Sequence, residues 1–511
     1  MKGIREFRLA MLLAGLTASS AQATHEITVD ADPSVTGPVI SKNIYGQFAE
    51  HLGYGIYEGL WVGKDSTIPN TEGFRSDVVG ALKELHVPVI RWPGGCFADE
   101  YHWRDGIGPQ KDRPVKVNTN WGGVEEDNQV GTHEIFTLTE MLGADMYLNI
   151  NLGSGTVKEM ADWVEYITAD NNSTLAQERR KNGRDKPWSL PFIGIGNEAW
   201  GCGGHMSPEY YVDLYRQFGT FVKTSQKPYP TLVASGGTDG KSEWTDILSK
   251  KLGERTDAIS FHYYTLPTGD WNDKGEATGF DSDMWFKTMD RTYKMKGYLE
   301  ENLAFLEKND PDNKIAFYVD EWGTWYNALE GTNPGFLIQQ NSLRDAVITA
   351  VNLNLFHDHA DRVKMTNIAQ MVNVLQAMIL TDEDKMLLTP TYHVFRMYRV
   401  FQDAVSVPAE VSEGEYRQGD VSLPATTVSV AKGEDGGVYV AMVNMDPEEA
   451  SSVTLNIDGV KGGDLELLTA NTMDAHNTFS KPELVKPVRV SFSGTTVKLP
   501  PKAVAVAKLK F

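Results

Sequence analysis

The sequence predicts an α/β fold: a (β/α)8 TIM barrel followed by a C-terminal all-β sandwich, jelly-roll-like, that also takes the N-terminal strand. Three observations predict it. Between Asn43 and Ile368, eight short apolar runs alternate with segments of helical pattern, which is the order of a barrel. Runs such as Phe192 to Glu198 and Ile315 to Trp322 are apolar without alternation. They need cover on both faces, as in a parallel sheet wrapped by helices. Beyond Val405 the pattern changes to short alternating segments broken by Gly, Asp, Asn and Pro, the habit of a β-sandwich.

Residues 1–23 carry Lys2, Arg5 and Arg8, then an apolar run from Leu9 to Ala18 and the small-x-small triplet Ala21-Gln22-Ala23. They are expected to be a signal peptide cleaved after Ala23, giving a secreted or periplasmic protein. The run is too short to span a bilayer, no later stretch is long enough, and no cysteine stands at the cleavage point. No membrane partner is expected. Residues 24–42 hold Glu26-Ile27-Thr28-Val29-Asp30, an alternating strand without a neighbour nearby, assigned to the distant sandwich.

Residues 43–402 are assigned to the barrel. Its runs are Asn43 to Phe48, Val87 to Trp92, Asp145 to Leu152, Phe192 to Glu198, Thr231 to Gly236, Ala258 to Tyr264, Ile315 to Trp322 and Arg362 to Ile368. Helical segments between them include Glu72 to Leu85, Glu134 to Leu142, Ser207 to Lys223, Ser242 to Leu252, Trp285 to Leu306 and Leu337 to Phe356. Residues 403–511 are assigned to the sandwich, with strands at Ala425 to Val430, Gly437 to Asn444, Val453 to Ile457, Val488 to Phe492 and Val504 to Leu509.

The net charge of −21 disfavours phosphate backbones, so nucleic acid is not an expected partner. The twelve tryptophans suit a protein that stacks sugar rings, although folding alone also uses them. Two cysteines, Cys96 and Cys202, do not make a disulfide scaffold.

Glu198 and Glu321 close the fourth and seventh runs, and each is followed closely by a tryptophan. Mounted at the active end of a barrel, two such carboxyl groups would flank one bond. Glycoside hydrolysis needs that pair, one group protonated to assist the leaving oxygen and one ionised to attack the anomeric carbon. A lone strand-end glutamate is as readily a helix cap or an ion-pair partner; two matched ends favour chemistry. No Cys/His spacing suggests zinc. His357-Asp358-His359-Ala360-Asp361 follows a helix and precedes the eighth run, on the face opposite the site, and is read as loop and cap.

Four motifs, Arg91-Trp92-Pro93-Gly94-Gly95-Cys96-Phe97, Gly196-Asn197-Glu198, Asp320-Glu321-Trp322 and Ile368-Ala369-Gln370-Met371-Val372-Asn373, together resemble the α-L-arabinofuranosidases of glycoside hydrolase family 51. The resemblance implies a clan A barrel and a retaining, exo-acting mechanism without metal or cofactor. It also implies release of arabinofuranose from plant polysaccharides such as arabinoxylan and arabinan. Position by position, Glu198 resembles the acid/base and Glu321 the nucleophile. Asn197 would bind the 2-hydroxyl, Glu50 the ring hydroxyls, and Gln370 the sugar. Cys96 would touch the furanose, and Tyr264, or its neighbour Tyr263, would bond near the nucleophile. On the second run, Arg91 is a buried cation suited to keeping a carboxylate ionised near the nucleophile. Trp121, Trp322 and Trp325 are candidates for stacking the aglycone, with Trp325 best placed.

A bridge between Cys96 and Cys202 is conceivable outside the cell and is not expected. Members of the family are often assemblies, which leaves a homo-oligomer open. Two alternatives stand beside this reading: another clan A retaining glycosidase (a β-xylosidase or endoglucanase), and a non-catalytic sugar-binding protein. A metal-dependent hydrolase would need ligand spacing the sequence lacks.

Overall fold

The computed structural model describes residues 25–412 and 414–511. The signal-peptide reading of residues 1–23 lies outside them. Eight parallel strands close into a barrel in sequence order: β1 (Gly46–Phe48), β2 (Val89–Trp92), β3 (Asp145–Ile150), β4 (Phe192–Ile195), β5 (Thr231–Ala234), β6 (Ala258–Thr265), β7 (Ala316–Thr324) and β8 (Val363–Ile368). All eight apolar runs therefore became barrel strands. Inside, Val89, Tyr147, Val233, Ala258, Tyr318 and Met365 pack as one buried cluster near the strand starts. The barrel is thus a filled core with its open end at the strand C-termini.

Around it run α1 (Ser76–Glu84), α2 (Thr132–Leu142), α3 (Val157–Thr168), α4 (Pro208–Thr220), α5 (Glu243–Leu252), α6 (Ser282–Asn309), α7 (Leu343–Asp358) and α8 (Pro390–Tyr398). Their starts follow local chemistry. Ser207 caps α4 ahead of Pro208 and accepts the Tyr210 N–H, and Asp281 caps α6 by accepting the Met284 N–H. Two starts differ from expectation. Helix α1 begins at Ser76 rather than Glu72, because residues 70–75 form a small hairpin whose turn residue Glu72 has a left-handed φ of 54°. Helix α7 begins at Leu343 rather than Leu337, where Ser342 and Asp345 form a capping box.

Helix α7 is buried from Leu343 to His357. A helix covered all round needs a second layer outside it, and the sandwich supplies that layer. Asn354 donates to Thr427 Oγ1 at 3.1 Å, and His357 bonds Ser429 Oγ at 2.8 Å and Tyr45 Oη at 2.7 Å. Burial pushes His357 down to about 3, so it is neutral. It is a structural joint between barrel and sandwich rather than the loop position expected from sequence.

The sandwich pairs a six-stranded sheet with a four-stranded one. The N-terminal strand His25–Ala31 lies in the smaller sheet, parallel to Ser451–Asn456 and antiparallel to Ala409–Val411. Strands Gly462–Leu468 and Thr496–Leu499 add to those read from the sequence. Among the described residues, no helix is long and apolar enough to cross a membrane.

Candidate active site

The open end of the barrel gathers a single charged network. Glu321 lies within β7, Arg91 on β2, and His262 and Tyr264 on β6. Asn197 and Glu198 follow the end of β4, Glu50 follows β1 and Gln370 follows β8.

Glu321 is 5% exposed. Its Oε1 accepts from Arg91 Nη1 at 2.7 Å and its Oε2 from the Tyr264 hydroxyl at 2.7 Å. Burial disfavours the Arg91 charge, but Asp320 and Glu321 outweigh it and raise the guanidinium above its usual range. Burial and the Glu321 charge hold the Tyr264 phenol well above its ordinary value, so it remains a donor. Glu321 is therefore oriented by one permanent cation and one neutral hydroxyl. The second prong of Arg91, Nη2, donates to Asn197 Oδ1 at 2.6 Å and ties the β4 turn to the same guanidinium.

His262 joins the two ends. Its Nδ1 is 2.8 Å from Glu198 Oε1 and 3.6 Å from Glu321 Oε2, and its Nε2 is 2.8 Å from Asp320 Oδ1. Burial lowers its proton affinity. Glu321 and Asp320 raise it further than burial lowers it, and with the bonds to Asp320 and Glu198 they bring it up to about 10. Asp320, buried and also receiving the Tyr147 hydroxyl at 2.7 Å, is lowered: burial opposes the shift, and Arg91 and His262 prevail. One oxygen of Glu198, one of Glu321 and a nitrogen of His262 lie within 4.8 Å of one another.

Glu198 itself sits on a turn. Its φ is 39°, left-handed for a non-glycine residue, a conformation that costs on the order of 1–3 kcal/mol and persists only where the surroundings enforce it. Gly196, with φ 85°, begins the turn where a side chain would be strained. The Glu198 carbonyl accepts from Gly201 N–H at 2.7 Å and Gly203 N–H at 3.1 Å. A disulfide, contrary to expectation, joins Cys202 on this turn to Cys96 after β2, with Cα atoms 5.6 Å apart. The cysteines are distant in sequence, but loops after β2 and β4 converge over the barrel mouth.

Glu50 forms the opposite wall. It accepts from Phe97 N–H at 3.0 Å, Trp121 Nε1 at 3.0 Å and Gln370 Nε2 at 3.1 Å. Burial and the Glu321 charge push it up to about 7 against those donors and Arg91. At Gly95 a Cβ would stand 2.7 Å from Glu50 Oε1, so the Gly-Gly turn is what lets the backbone pass this carboxylate.

The structure thus brings Glu50, Arg91, Asn197, Glu198, Tyr264, Glu321 and Gln370 into one network, with Cys96 at its edge in the bridge. Trp325 stands edge-on to Tyr264, with ring centroids 5.1 Å apart, and Trp121 reaches Glu50. Trp322 does not join them. It is fully buried behind β7 between Phe356 and Phe395, with its Nε1 on Thr366, because strand alternation turns it away from the face Glu321 occupies. Tyr263 likewise points outward and bonds the Arg291 carbonyl on α6.

Three residues escaped the sequence reading. His262 stands two before Tyr264 on one strand, and period-two alternation puts both on one face. Asp320 gave no such signal. Neighbours in a strand face opposite ways, yet the pairing of β7 with β8 shifts register between Val319 and Trp322, and both Asp320 and Glu321 reach the site. Asp99 lies below the loops and accepts the Leu152 and Gly153 N–H groups; burial pushes it up to about 7.

Comparison with known proteins gives the family and the fold. The α-L-arabinofuranosidase 1 domain model matches residues 81–288, and the α-L-arabinofuranosidase C-terminal domain model matches residues 320–503. An intracellular exo-α-L-arabinofuranosidase of Bacteroides ovatus is 48% identical over 98% of both chains. The crystal structure of the GH51 arabinofuranosidase from Xanthomonas axonopodis pv. citri superposes with a TM-score of 0.93 at 48% identity, covering 95% of this chain and all of the other. That of the α-L-arabinofuranosidase from Thermotoga maritima, an arabinose complex, gives 0.85 at 29% with the same coverage.

The name of the Bacteroides relative overturns the expectation of a secreted or periplasmic protein. A short basic-then-apolar N-terminus is a compositional signal that does not by itself decide export. By likeness over nearly its whole length, the chain belongs to the α-L-arabinofuranosidases of glycoside hydrolase family 51.

Proposed function

We propose that the protein is a retaining, exo-acting enzyme that removes terminal arabinofuranose from plant polysaccharides such as arabinoxylan and arabinan, with Glu321 as nucleophile and Glu198 as acid/base. The observation that carries this is the approach of the Glu198 and Glu321 carboxylate oxygens, within 4.8 Å across His262. Carboxyl groups about 5–5.5 Å apart suit double displacement, whereas inversion needs about 6.5–9.5 Å to admit a water.

The partners of the two groups support their division of labour. Glu321, gripped by Arg91 and Tyr264, is fixed in place and aimed at the anomeric carbon. Glu198 is more open, its side chain 17% exposed against 7% for Glu321, and suits exchange of a proton with the leaving oxygen and then with water. In the first step Glu321 attacks C1 as the glycosidic oxygen leaves with the Glu198 proton. In the second, Glu198 takes a proton from water, which attacks C1 and releases Glu321. Asn197, its carbonyl held by Arg91 and one amide N–H near the Cys202 sulfur, has its other amide N–H for the sugar. Glu50 and Gln370 would take ring hydroxyls, Cys96 would border the furanose, and Trp325 would meet the aglycone. The barrel of residues 43–402 carries all these groups, and residues 24–42 and 403–511 form the packing partner.

The test is hydrolysis of an aryl α-L-arabinofuranoside. Glu321→Ala should lose on the order of 10⁴-fold or more in kcat. Glu198→Ala should recover turnover with azide, forming an arabinosyl azide with the substrate's anomeric configuration. An active Glu321→Ala enzyme sinks the nucleophile assignment, and an azide product of opposite configuration sinks the retaining mechanism.

A further inference from the structure

Glu198 is held unlike the strand-borne groups of the site. Arg91, His262, Tyr264 and Glu321 stand on strands, whereas the Glu198 backbone is left-handed and beyond the end of β4. Besides its turn hydrogen bonds, the Arg91 bond to neighbouring Asn197 and the His262 contact with its own carboxyl, it has a covalent tether to the rest of the barrel mouth, the bridge from Cys202 to Cys96. The Cys202 sulfur lies 3.5 Å from Glu198 Oε2 and 3.7 Å from Asn197 Nδ2. A disulfide sulfur has no proton to give, so that side of the carboxyl meets an atom that cannot stabilise its ionised form by donating. Cys202 is exposed, which opens the bridge to reductants.

We propose that the Cys96–Cys202 bridge is a positioning element for the acid/base carboxyl, and that its reduction selectively weakens proton donation to the leaving group. The inference rests on Glu198 being the acid/base. In the reduction a dithiol supplies two electrons and two protons: the S–S bond breaks, Cys96 and Cys202 each become a thiol, and the reductant closes into its own disulfide. Two changes follow at Glu198. The turn loses its covalent tie to the loop after β2, and its strained φ is then held by hydrogen bonds alone, those from the Gly201 and Gly203 N–H groups and from Arg91 to Asn197 among them. The Cys202 sulfur also gains an S–H that can donate to Oε2, 3.5 Å away, and so competes for an oxygen that would carry the acid proton. Both changes act against a group that must arrive protonated at the glycosidic oxygen. Glu321 keeps Arg91 and Tyr264, and attack at C1 is spared. The redox poise around the enzyme thereby sets how well it handles leaving groups that need a proton.

The measurement compares kcat/KM for two α-L-arabinofuranosides, one with an aryl leaving group that departs as a phenolate and one with an alkyl or sugar group that must be protonated. On treatment with dithiothreitol, free thiols should rise from none to two per chain. The alkyl-to-aryl ratio of kcat/KM should then fall about tenfold or more, and reoxidation should restore it. The double variant Cys96→Ser, Cys202→Ser should show the low ratio with or without dithiothreitol. A ratio unchanged by confirmed reduction, an equal fall on both substrates, two thiols titrating before any reductant is added, or a wild-type ratio in the double variant each overturns the proposal. Glu198→Ala separates this from the reading beneath it. If that variant leaves the ratio intact, the acid assignment itself has failed. If it collapses the ratio and reduction does not, only the role of the bridge has failed.

Discussion

The ends of β4 and β7 look like twins in sequence and differ in structure. Each apolar run ends in a glutamate with a tryptophan close behind. Glu321 is embedded in β7, paired with His262 of β6 and fixed by a guanidinium and a phenol. Glu198 lies past Ile195, the last residue of β4, on a left-handed turn closed by two backbone bonds and a disulfide. The difference suits their proposed tasks. A nucleophile must return to one place twice, and a strand supplies that constancy. An acid/base must meet the leaving oxygen and later a water, and a turn adjusted by its loop partners serves better.

The hardest blow to this comparison is at Arg91, whose two prongs grip both ends. Arg91→Ala should lower kcat on an aryl arabinofuranoside by about 10³-fold, near the upper range for removing one preorganised donor. Because it removes the permanent cation beside buried Glu321 and Asp320 and leaves them only His262, stability should fall by about 3 kcal/mol, readable as a drop in the urea midpoint. Arg91→Lys should rescue little, since an ammonium cannot reach Glu321 and Asn197 together. Near-normal kcat in the lysine variant would mean that charge alone, not the shared grip, holds the two ends.

A milder cut is His262→Gln, which keeps a hydrogen-bonding side chain and removes the charge between the ends. We expect a loss of about 10²-fold in kcat and an altered pH dependence of stability. The His262 value rises from 6.5 to about 10 on folding. Its stabilisation is therefore fully present below pH 6.5 and is lost as pH rises through about 10. Wild type should lose denaturant resistance between pH 7 and 10 more steeply than His262→Gln. Equal slopes would show that another group titrates there. Asp320 works in the opposite direction. Its lowered value gives stability that is present above the ordinary aspartate range and lost as pH falls through the folded value.

The barrel was legible because each of its strands is buried on both faces and each run is bounded by helical or turn patterns. Six of the nine α-helices among the described residues were read directly, and Thr174–Lys181 and α8 were not among them. Helix α3, with Trp163, Tyr166, Ile167 and Thr168 crowded at its end, mixes strand-favouring residues into a helical period and went unnamed. In the sandwich, Gly462–Leu468 opens with two glycines and carries Asp464 and Glu466, which hides a strand whose partners supply its order. The site was legible where motif and strand end coincide, as at Glu198 and Glu321. It was not legible where a register shift put Asp320 beside Glu321, nor where loop convergence brought Cys96 and Cys202 together. Alternation and spacing describe single strands, and both of those features belong to pairs.

The smallest effect we predict tests whether the tryptophans behind the two glutamates are equivalent. Trp200, two residues after Glu198, is half-buried with its indole N–H unpartnered in the protein, and Trp322, next to Glu321, is sealed in the core. The β7 side has a second tryptophan, Trp325, standing edge-on to Tyr264 and, at 5.2 Å, to the exposed Trp271. Its exposed face can meet the aglycone, whereas Trp322 has none to offer. Trp325→Ala should raise KM on an arabinoxylan oligosaccharide by about five- to tenfold, the worth of one aromatic contact at roughly 1 kcal/mol. On the aryl glycoside kcat should change by less than about threefold, because Tyr264 keeps its bond to Glu321. A matching fall in kcat would mean that Trp325 acts by holding Tyr264, and that the β7 end depends on its loops as the β4 end does.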